Sequence, residues 1–356
     1  MAELFKEVYN RKYIDLLCNE LLHVNKKEFT CRVFDELWKN RELKERMRHI
    51  STVLGEFLPS NYVEAIDILK VVFSKLPENI GLEKMVFQDF VEVYGMEYFD
   101  KSMEALECFT KDSSSEFAVR RFIVKYPKET MTRMKVWARS DNVHVRRLAS
   151  EGSRPRLPWA IALPEFKRNP KEVLKILEIL KDDKSEYVRR SVANNLNDIS
   201  KDNPDIVKYI TKNWIGQNQN IDKLLKHGCR TLLKASDRDT LDMFGFKKLQ
   251  GVKVEDFTMT NQVEFEKELL FGFTLNSKEN LGKLRIEYAL HFVRQNSKYS
   301  KKVFKISEGV YNQNSKKVEK AYSFRPISTR RYYQGRHKLE IIINGETLLE
   351  KEFLYM

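Results

Sequence analysis

The sequence contains little cysteine, glycine or proline, and it has no long apolar run. Its 356 residues include 4 Cys, 13 Gly and 9 Pro. The cysteines are scattered with no C-x-x-C pair, which argues against a disulfide framework or a zinc cluster and fits a reducing cytosol. No stretch of about 18 apolar residues could span a membrane, and the charged N-terminus lacks the apolar core of a secretory signal. We therefore expect a soluble cytoplasmic protein without a membrane partner.

Familiar catalytic motifs are absent as well. The sequence has no G-x-x-x-x-G-K-[ST], G-x-G-x-x-G, H-E-x-x-H or G-x-S-x-G pattern, and its 6 His are isolated from one another. If the chain is an enzyme, these absences leave carboxylates and aromatic side chains as the available catalytic groups.

The positive charge of the chain is concentrated in two segments. The formal net charge is +13, and residues 120–168 hold thirteen Lys or Arg against four acids, while residues 296–336 hold eleven against two. Because neutralising phosphates releases counterions, two basic segments on a mildly acidic remainder are typical of a polyanion-binding surface. Lys-rich helices and strands that are merely solvated would give the same totals, so this alternative stays open, especially for the lysine-rich second segment.

From the start of the chain to about residue 245 the apolar residues have helical spacing. Val173, Ile176, Leu177 and Leu180, for example, recur at i, i+3, i+4 and i+7, the pattern of an amphipathic helix. Prolines at positions 127, 170 and 204 mark the predicted first turns of three helices.

A short element recurs within this helical region. A polar cap precedes Val-Arg-Arg in residues 115–121, 141–147 and 184–190, and successive valines lie 26 and 43 residues apart. Irregular repeats of this size predict a HEAT-type α-solenoid, in which one helix of each pair lines a concave surface. We expect one arginine of each pair to be structural and the other to face a ligand.

The longer repeat spacing contains an unusual segment. Residues 152–168 include three prolines, which are incompatible with one regular helix. A loop of this length inside a compact repeat array is usually functional. Trp159 lies near Arg154 and Arg156, so the loop carries a flat apolar ring together with two cations.

After about residue 250 the pattern changes to that of β-strands. Residues 268–275, 284–294 and 339–349 are rich in aromatic and β-branched side chains, and Asn344-Gly345 is typical of a type I′ hairpin turn. About seven short strands in roughly a hundred residues predict an immunoglobulin-like sandwich. The predicted fold is multi-domain, α then β: a HEAT-like α-solenoid over residues 1–248 and a small all-β immunoglobulin-like sandwich over residues 249–356.

Three acids stand out within the basic repeat region. Glu116 precedes the first Val-Arg-Arg helix, Glu151 lies directly before the loop, and Asp198 lies ten residues after the valine of the third element. Each also has a structural interpretation. Glu116 could interact favourably with a helix dipole, and the other two could pair with neighbouring arginines. The pattern alone leaves both interpretations open.

One run in the helical region is specific enough to indicate a family. It is S-E-G-S-R-P-R-L-P-W at residues 150–159, accompanied by V-R-R-F-I at 119–123 and V-R-R-S-V-A-N-N-L-N-D at 188–198. With these motifs, residues 109–216 resemble the AlkC branch of the HEAT-like DNA glycosylases, one subgroup of which carries a C-terminal immunoglobulin-like domain. The resemblance implies excision of cationic alkylated bases such as N3-methyladenine from duplex DNA, without metal or cofactor; N3-methylcytosine stays open as a second lesion.

The resemblance also implies roles for individual residues. By motif match, Glu116, Glu151 and Asp198 would be the catalytic acids and Trp159 would contact the lesion nucleotide. Carboxylates suit this reaction because the deoxyribose gains oxocarbenium character as the glycosidic bond breaks. The basic side chains expected to contact phosphates are Arg120, Arg121, Arg146, Arg147, Arg154, Arg156, Arg189 and Arg190 in the helical region and Lys316, Lys317 and Lys320 in the sandwich.

Two hypotheses follow for the function. The leading one is a metal-independent DNA-3-methyladenine-type glycosylase that acts as a monomer, has no obligate protein partner and is nucleoid-associated when bound to DNA. It can reach the lesion by base flipping or by bending the duplex. The alternative is a non-catalytic HEAT-repeat scaffold that binds nucleic acid or an acidic protein, which needs the same basic charge but not the three acids.

Overall fold

The computed structural model describes residues 5–22, 24–296, 298–327 and 330–356. The chain forms two compact units. The helical unit consists of Met1–Pro204 and Ile215–Gly228, and the sandwich unit consists of Asp205–Trp214 and Cys229–Met356.

Sixteen α-helices occur before residue 245 in the described part of the chain. They are α1 (Arg11–Glu20), α2 (Lys26–Val33), α3 (Leu43–Phe57), α4 (Tyr62–Lys75), α5 (Met85–Tyr94), α6 (Phe99–Phe109), α7 (Val119–Lys125), α8 (Pro127–Trp137), α9 (Val143–Gly152), α10 (Pro164–Arg168), α11 (Lys171–Leu180), α12 (Glu186–Ile199), α13 (Pro204–Trp214), α14 (Gln219–Gly228), α15 (Arg230–Lys234) and α16 (Arg238–Met243). Two short 3₁₀ helices span Phe5–Val8 and Trp38–Asn40.

The predicted repeat elements begin helices whose valines lie in the core. Val119, Val145 and Val188 are fully buried in α7, α9 and α12. The polar cap is visible before α9, where the Asn142 side chain accepts hydrogen bonds from the amides of the first turn. The four apolar residues predicted to form one face of α11 are all buried, which confirms that helix.

The helices of this region are arranged in two contacting rows. In one row α9 packs against α12, and α12 packs against α14. In the other row α8 packs against α11, while α9 contacts both of them. This is the layered packing of helix pairs that the repeat spacing predicted. It places the second and third Val-Arg-Arg helices side by side.

The segment after α9 is only partly a loop. Its third proline, Pro164, begins the short helix α10, because proline fits the first helical turn, where no backbone donor is needed. The prediction of a loop over residues 152–168 is therefore wrong at their C-terminal end. The remaining residues, 153–163, are here called the tryptophan loop.

In the described part of the chain, the sandwich unit contains eight strands after residue 250. They are β1 (Lys253–Met259), β2 (Gln262–Val263), β3 (Glu268–Asn276), β4 (Gly282–Val293), β5 (Tyr299–Tyr311), β6 (Ser315–Ser323), β7 (Gly335–Ile343) and β8 (Glu346–Tyr355). One sheet has the order β1-β3-β6, and the other has the order β2-β8-β7-β4-β5. All the paired strands are antiparallel except β2 and β8.

Both sheets contribute to a single apolar core. Phe273 of β3, Ile286 of β4 and Ile341 of β7 are among its buried members. The predicted hairpin is confirmed, since Asn344 and Gly345 join β7 to β8 with φ angles of 47° and 81°. A Cβ at Gly345 would also lie 2.5 Å from a methyl group of Leu241. The turn therefore requires glycine both for its positive φ and for this close approach.

The change from helix to strand falls between Met243, where α16 ends, and Lys253, where β1 begins. The predicted boundary at residues 248/249 lies in this interval and stays a prediction. The compact units divide the chain differently, because α13, α15 and α16 are grouped with the strands. Among the described residues, no helix is both long and apolar enough to cross a membrane.

The acid stability of the sandwich unit is predicted to depend on Glu340. Burial by itself raises the pKa of this carboxyl, but hydrogen bonds from Lys301, Thr347 and His291 outweigh burial and lower the pKa to about 2. A depressed pKa stabilises the fold above the ordinary value of 4.5, and the stabilisation is lost as the pH falls toward 2. Glu340→Gln should therefore lower the free energy of unfolding by up to about 3 kcal/mol at pH 7. The difference in unfolding free energy between this variant and the wild type should shrink below pH 4.5.

Urea unfolding followed by circular dichroism at pH 7 and pH 3 measures both effects. Glu350→Gln is the matched control, since Glu350 is paired with Lys338 but half exposed. A cost of Glu340→Gln that does not change with pH would contradict the prediction.

Candidate active site and nucleic-acid interface

Glu116 lies in the turn that leads into α7. Its Oε2 accepts a hydrogen bond of 2.7 Å from Ser114 Oγ and one of 2.6 Å from Arg147 Nη1. Because Arg147 lies on α9, this ion pair fixes the start of α7 against the next repeat element. A helix-dipole role is not needed to explain the position of Glu116.

Glu151 lies near the C-terminal end of α9 and is 5% exposed. Its Oε1 is 2.6 Å from Arg154 Nη1 and 3.6 Å from Arg147 Nη2. Its Oε2 accepts a hydrogen bond of 2.6 Å from Ser191 Oγ of α12. Both carboxylate oxygens are therefore held by partners, as burial of a charged group requires.

Asp198 lies on α12 and is 1% exposed. Its Oδ2 accepts a hydrogen bond of 2.8 Å from Arg154 Nε, and its Oδ1 accepts one of 3.0 Å from Lys201 Nζ. Arg154 thus binds Asp198 with one nitrogen and Glu151 with another, so the start of the tryptophan loop is clamped between α9 and α12.

The structure brings the three predicted acids together in one row. Carboxylates and guanidinium groups alternate in the order Glu116, Arg147, Glu151, Arg154, Asp198, here called the acid–arginine row. Burial by itself lowers the pKa of both arginines, but the adjacent carboxylates outweigh burial and raise each pKa above its usual value. Pairing with neighbouring arginines, the structural interpretation of Glu151 and Asp198, is therefore observed, and the catalytic role of the three acids stays a prediction.

Several neighbours of this row were missed from the sequence. Ser191, Asn195 and Asp198 recur at i, i+4 and i+7 and so share one face of α12. Ser191 Oγ lies 2.6 Å from Ser150 Oγ, and Asn195 Nδ2 donates to the Ser150 carbonyl at 2.7 Å. Polar residues at this spacing on an otherwise apolar helix face were the available signal.

Tyr187 is a further missed neighbour. The Arg147 guanidinium lies 5.0 Å from the centre of its ring. An aromatic face at this distance attracts the cation. Because Tyr187 directly precedes the third Val-Arg-Arg, the sequence alone offered no reason to select it.

The tryptophan loop holds Trp159 in an unusual conformation. The residue has a φ of 62°, in the left-handed region that non-glycine residues seldom adopt, and its side chain is 64% exposed. The indole meets the ring of Phe5 edge-on, with 6.1 Å between centroids. The loop therefore presents a large apolar ring to solvent, which is consistent with a contact surface.

The position of Arg120 does not fit its predicted phosphate contact. The side chain is fully buried, and its guanidinium donates to the carbonyls of Gly152, Arg154 and Ile161 at 3.0, 2.7 and 2.7 Å. Burial and then the charge of Arg154 lower the pKa of Arg120 to about 10. We therefore correct the prediction: Arg120 binds backbone carbonyls at and near the tryptophan loop, which leaves it no surface for a phosphate.

Two more predicted phosphate contacts require the same correction. Arg146 is 7% exposed and forms an ion pair of 2.6 Å with Asp183. Arg154 is 8% exposed and lies within the acid–arginine row. Both guanidinium groups hold helices together, because a buried cation requires partners on every side. Arg147 is also committed to this row, although 18% of its side chain is exposed.

The four remaining predicted arginines are at least partly exposed. Arg121 is half exposed beside Glu92, and Arg156 is 39% exposed and binds Asp202 at 2.6 Å. Arg189 donates to the Asp183 carbonyl, and Arg190 is exposed. The first and third Val-Arg-Arg pairs therefore have one arginine bonded within the helical unit and a more exposed second one, and contact of the second with a ligand stays a prediction.

A groove adjoins the third pair. It has a volume of about 360 Å³ and lies between α12 and α14. Arg189 and Arg190 line one side, and Lys223 and His227 line the other. The last two were missed from the sequence because the helix that carries them has no Val-Arg-Arg element. The lining therefore contains three cations, Arg189, Arg190 and Lys223, against one carboxylate, Glu186, and this net positive charge suits an anionic ligand.

The three predicted lysines of the sandwich lie on β6, at the edge of the smaller sheet. Lys316 lies 4.5 Å from the centre of the Tyr311 ring, and Lys317 is paired with Glu319 at 2.7 Å. Lys320 is exposed. Since side chains alternate along a strand, Lys317 points away from the face shared by Lys316 and Lys320. Lysines also protect an edge strand from pairing with other chains, which is an alternative role.

The acid–arginine row can act chemically on a developing cation. Fixed carboxylates in a water-poor site stabilise positive charge more strongly than they do in water, and they can orient a water molecule. The helical-unit residues described by the structure contribute three such groups and an exposed indole on the adjacent loop. Among the described residues, no cluster of three His, Cys, Asp or Glu side chains is arranged to hold a metal ion.

Two protein-family models match the chain. The family described as "DNA alkylation repair enzyme" matches residues 97–237, which include the whole acid–arginine row. The family described as the C-terminal Ig-like domain of the uncharacterised protein YhaZ matches residues 253–355. The immunoglobulin-like class of the strand region is thereby confirmed.

Two relatives match almost the full length of the chain. The uncharacterised protein YhaZ of Bacillus subtilis strain 168 is 42% identical over 352 residues, which cover 97% of each chain. The alkylpurine DNA glycosylase AlkC of Pseudomonas fluorescens, solved with DNA containing an abasic-site analogue, is 31% identical. That structure superposes with a TM-score of 0.95 and covers 99% of this chain and 100% of its own. These matches confirm the predicted order of a helical repeat region and an immunoglobulin-like domain.

The acid–arginine row is predicted to make a large contribution to stability. Arg154→Met removes one partner from each of two buried carboxylates, so unfolding should become easier by roughly 3–5 kcal/mol. Arg156→Met breaks a bidentate ion pair with Asp202 that is partly exposed. This substitution should lower the free energy of unfolding by about 1 kcal/mol or less.

Urea unfolding followed by tryptophan fluorescence measures both variants. Equal losses of unfolding free energy for the two substitutions would indicate that burial of the acid–arginine row contributes little to stability.

Proposed function

The chain belongs to the DNA alkylation repair enzyme family, together with AlkC and YhaZ, and from this premise we propose that it is a DNA glycosylase. Its substrates would be cationic alkylated bases in duplex DNA, with N3-methyladenine first and N3-methylcytosine second. The observation that carries the proposal is the alternation of Glu116, Glu151 and Asp198 with two arginines directly beside the loop that presents Trp159.

The proposed reaction is hydrolysis of the N-glycosidic bond. A base alkylated at N3 already carries a positive charge, so it leaves with the bonding electrons and becomes neutral without a strong general acid. The bond between C1′ and the base breaks, and C1′ gains oxocarbenium character. The oxygen of a water molecule bonds to C1′, and a carboxylate accepts its proton.

The arginines of the row keep the carboxylates oriented for this role. Arg154 binds Glu151 and Asp198 at once, so both acids keep fixed positions before a substrate arrives. Preorganisation of this kind is what makes electrostatic stabilisation effective, because little reorganisation remains for the reaction itself. No metal or cofactor takes part in the proposed steps.

Trp159 would contact the lesion nucleotide. Its exposed indole offers a face that attracts a cationic base and excludes water. The partly exposed Arg121, Arg156, Arg189 and Arg190 would contact phosphates without reading the sequence, as repair in any context requires. Bending of the duplex suits an open helical surface, and base flipping is the alternative route to the lesion.

The cellular setting is proposed on the same premise. We expect the protein to act as a monomer in the cytoplasm, to associate with the nucleoid when bound to DNA, and to need no obligate protein partner. A non-catalytic scaffold is the competing function, and it requires none of the three acids for chemistry.

Neutralising the acids should abolish excision but preserve binding. Asp198→Asn and Glu151→Gln keep the size of the side chains and one acceptor oxygen, but they remove the negative charge that stabilises the sugar cation. We expect the rate of N3-methyladenine release from methylated DNA in EDTA to fall on the order of 10²–10³-fold. Affinity for undamaged duplex should change by about twofold or less.

Asp202→Asn is the matched control, since Asp202 is also bound by an arginine but lies outside the row. It should retain the wild-type rate. Release of no free base by the wild type would contradict the glycosylase proposal, and full activity of both acid variants would remove those acids from the mechanism.

The sandwich lysines should contribute to DNA affinity without affecting specificity. If Lys316, Lys317 and Lys320 contact phosphates, each change to alanine should weaken binding to any duplex and lower the slope of log affinity against log salt by about 1. Lys351→Ala is the control, because Lys351 is exposed on β8 of the other sheet. Unchanged slopes would leave the lysines with only the edge-protecting role.

A further inference from the structure

The N-terminal helices contribute a direct contact to the tryptophan loop. Lys44, at the start of α3, donates a hydrogen bond of 2.9 Å from Nζ to the backbone carbonyl of Trp159. The same ammonium group lies 5.0 Å from the centre of the Phe117 ring. Phe117 directly follows Glu116, so Lys44 joins the tip of the loop to the segment that carries the first acid.

This contact falls where the loop backbone is most strained. Trp159 has its φ at 62°, a conformation that persists in non-glycine residues only where the surroundings fix it. The carbonyl that Lys44 binds belongs to this same residue. The ring of Phe5, in the 3₁₀ helix before α1, contacts the indole edge-on.

A second cation holds the base of the loop. Arg120 of α7 donates to the carbonyls of Gly152, Arg154 and Ile161, at both ends of the loop. Together with the bond from Lys44, four backbone carbonyls in or next to the tryptophan loop accept hydrogen bonds from two cations. The loop itself adds only two internal backbone bonds, from Ala160 to Leu157 and from Leu163 to Pro155.

We propose that Lys44 and Arg120 are positioning residues that fix the tryptophan loop and thereby aim Trp159 at the lesion. This proposal rests on the proposed function. Arg120 holds the two ends of the loop, and Lys44 holds its tip in the left-handed conformation that turns the indole outward. Lys44 and Phe5, which lie before the matched repair-enzyme region, therefore take part in building the site.

The primary test is Lys44→Met, which keeps the aliphatic stem and removes the ammonium group. Single-turnover excision should slow by roughly tenfold to a hundredfold, because a reacting group displaced by about 1 Å loses this much. Affinity for undamaged duplex should stay within about twofold of the wild type. Hydrogen exchange at the amides of Ala160 and Leu163 should accelerate at least fivefold, since the bond at the loop tip no longer restrains them.

Three further variants separate positioning from other roles. Lys44→Arg keeps a cationic donor and should restore most of the excision rate. Arg120→Lys keeps the charge but reaches fewer carbonyls, and it should accelerate exchange across the whole loop. Lys27→Met removes an exposed positive charge from α2 and should leave excision and exchange unchanged.

The outcomes that overturn the proposal are distinct from failure of the glycosylase function. Loop exchange unchanged in Lys44→Met would refute positioning, whatever the activity. Weaker DNA binding with a salt slope lowered by about 1 and unchanged exchange would make Lys44 a phosphate contact instead. If the wild type releases no alkylated base, the proposed function fails, and lesion aiming fails with it even if exchange shows that Lys44 restrains the loop.

Discussion

The alternation of carboxylate and guanidinium groups between Glu116 and Asp198 is the interaction on which the helical unit depends. A buried carboxylate without a partner is too costly to keep, and so is a buried guanidinium. The start of α7, the end of α9, the tryptophan loop and α12 must therefore stay in register for every member of the row to remain paired. The same ion pairs therefore fix the negative charges at one site and connect neighbouring repeats rigidly.

This arrangement explains why the first basic segment, residues 120–168, is not simply a nucleic-acid-binding surface. Arg120, Arg146 and Arg154 lie inside the helical unit, where they bind carbonyls or carboxylates. The cations left at the surface, Arg190 above all, are the ones available to a polyanion. Net charge therefore overstates the number of phosphate contacts, because part of it is used to connect helices.

Some features followed from local rules and were predictable. The helix spacing of α11, the proline starts of α8 and α13, and the Asn344-Gly345 turn depend only on near neighbours along the chain. The three acids were selected by motif resemblance as much as by pattern. The Val-Arg-Arg spacing did not say which arginine of a pair is more buried. In all three pairs it is the first, because that side chain meets partners in the fold, as Arg146 meets Asp183, whereas the second is more exposed, as Arg121 is beside Glu92.

The sequence by itself determined the order of a helical repeat region and an all-β domain. It also selected the three acids that the structure brings together and the tryptophan of the adjacent loop. Periodicity, turn chemistry and a ten-residue motif are properties of contiguous residues, so they can be read without coordinates. Only the tertiary structure decided that Lys44 reaches a carbonyl 115 residues away and that Arg120 turns inward to the loop. Such contacts depend on how separate helices pack, and the pairing of a long cationic side chain with a backbone carbonyl leaves no trace in residue spacing.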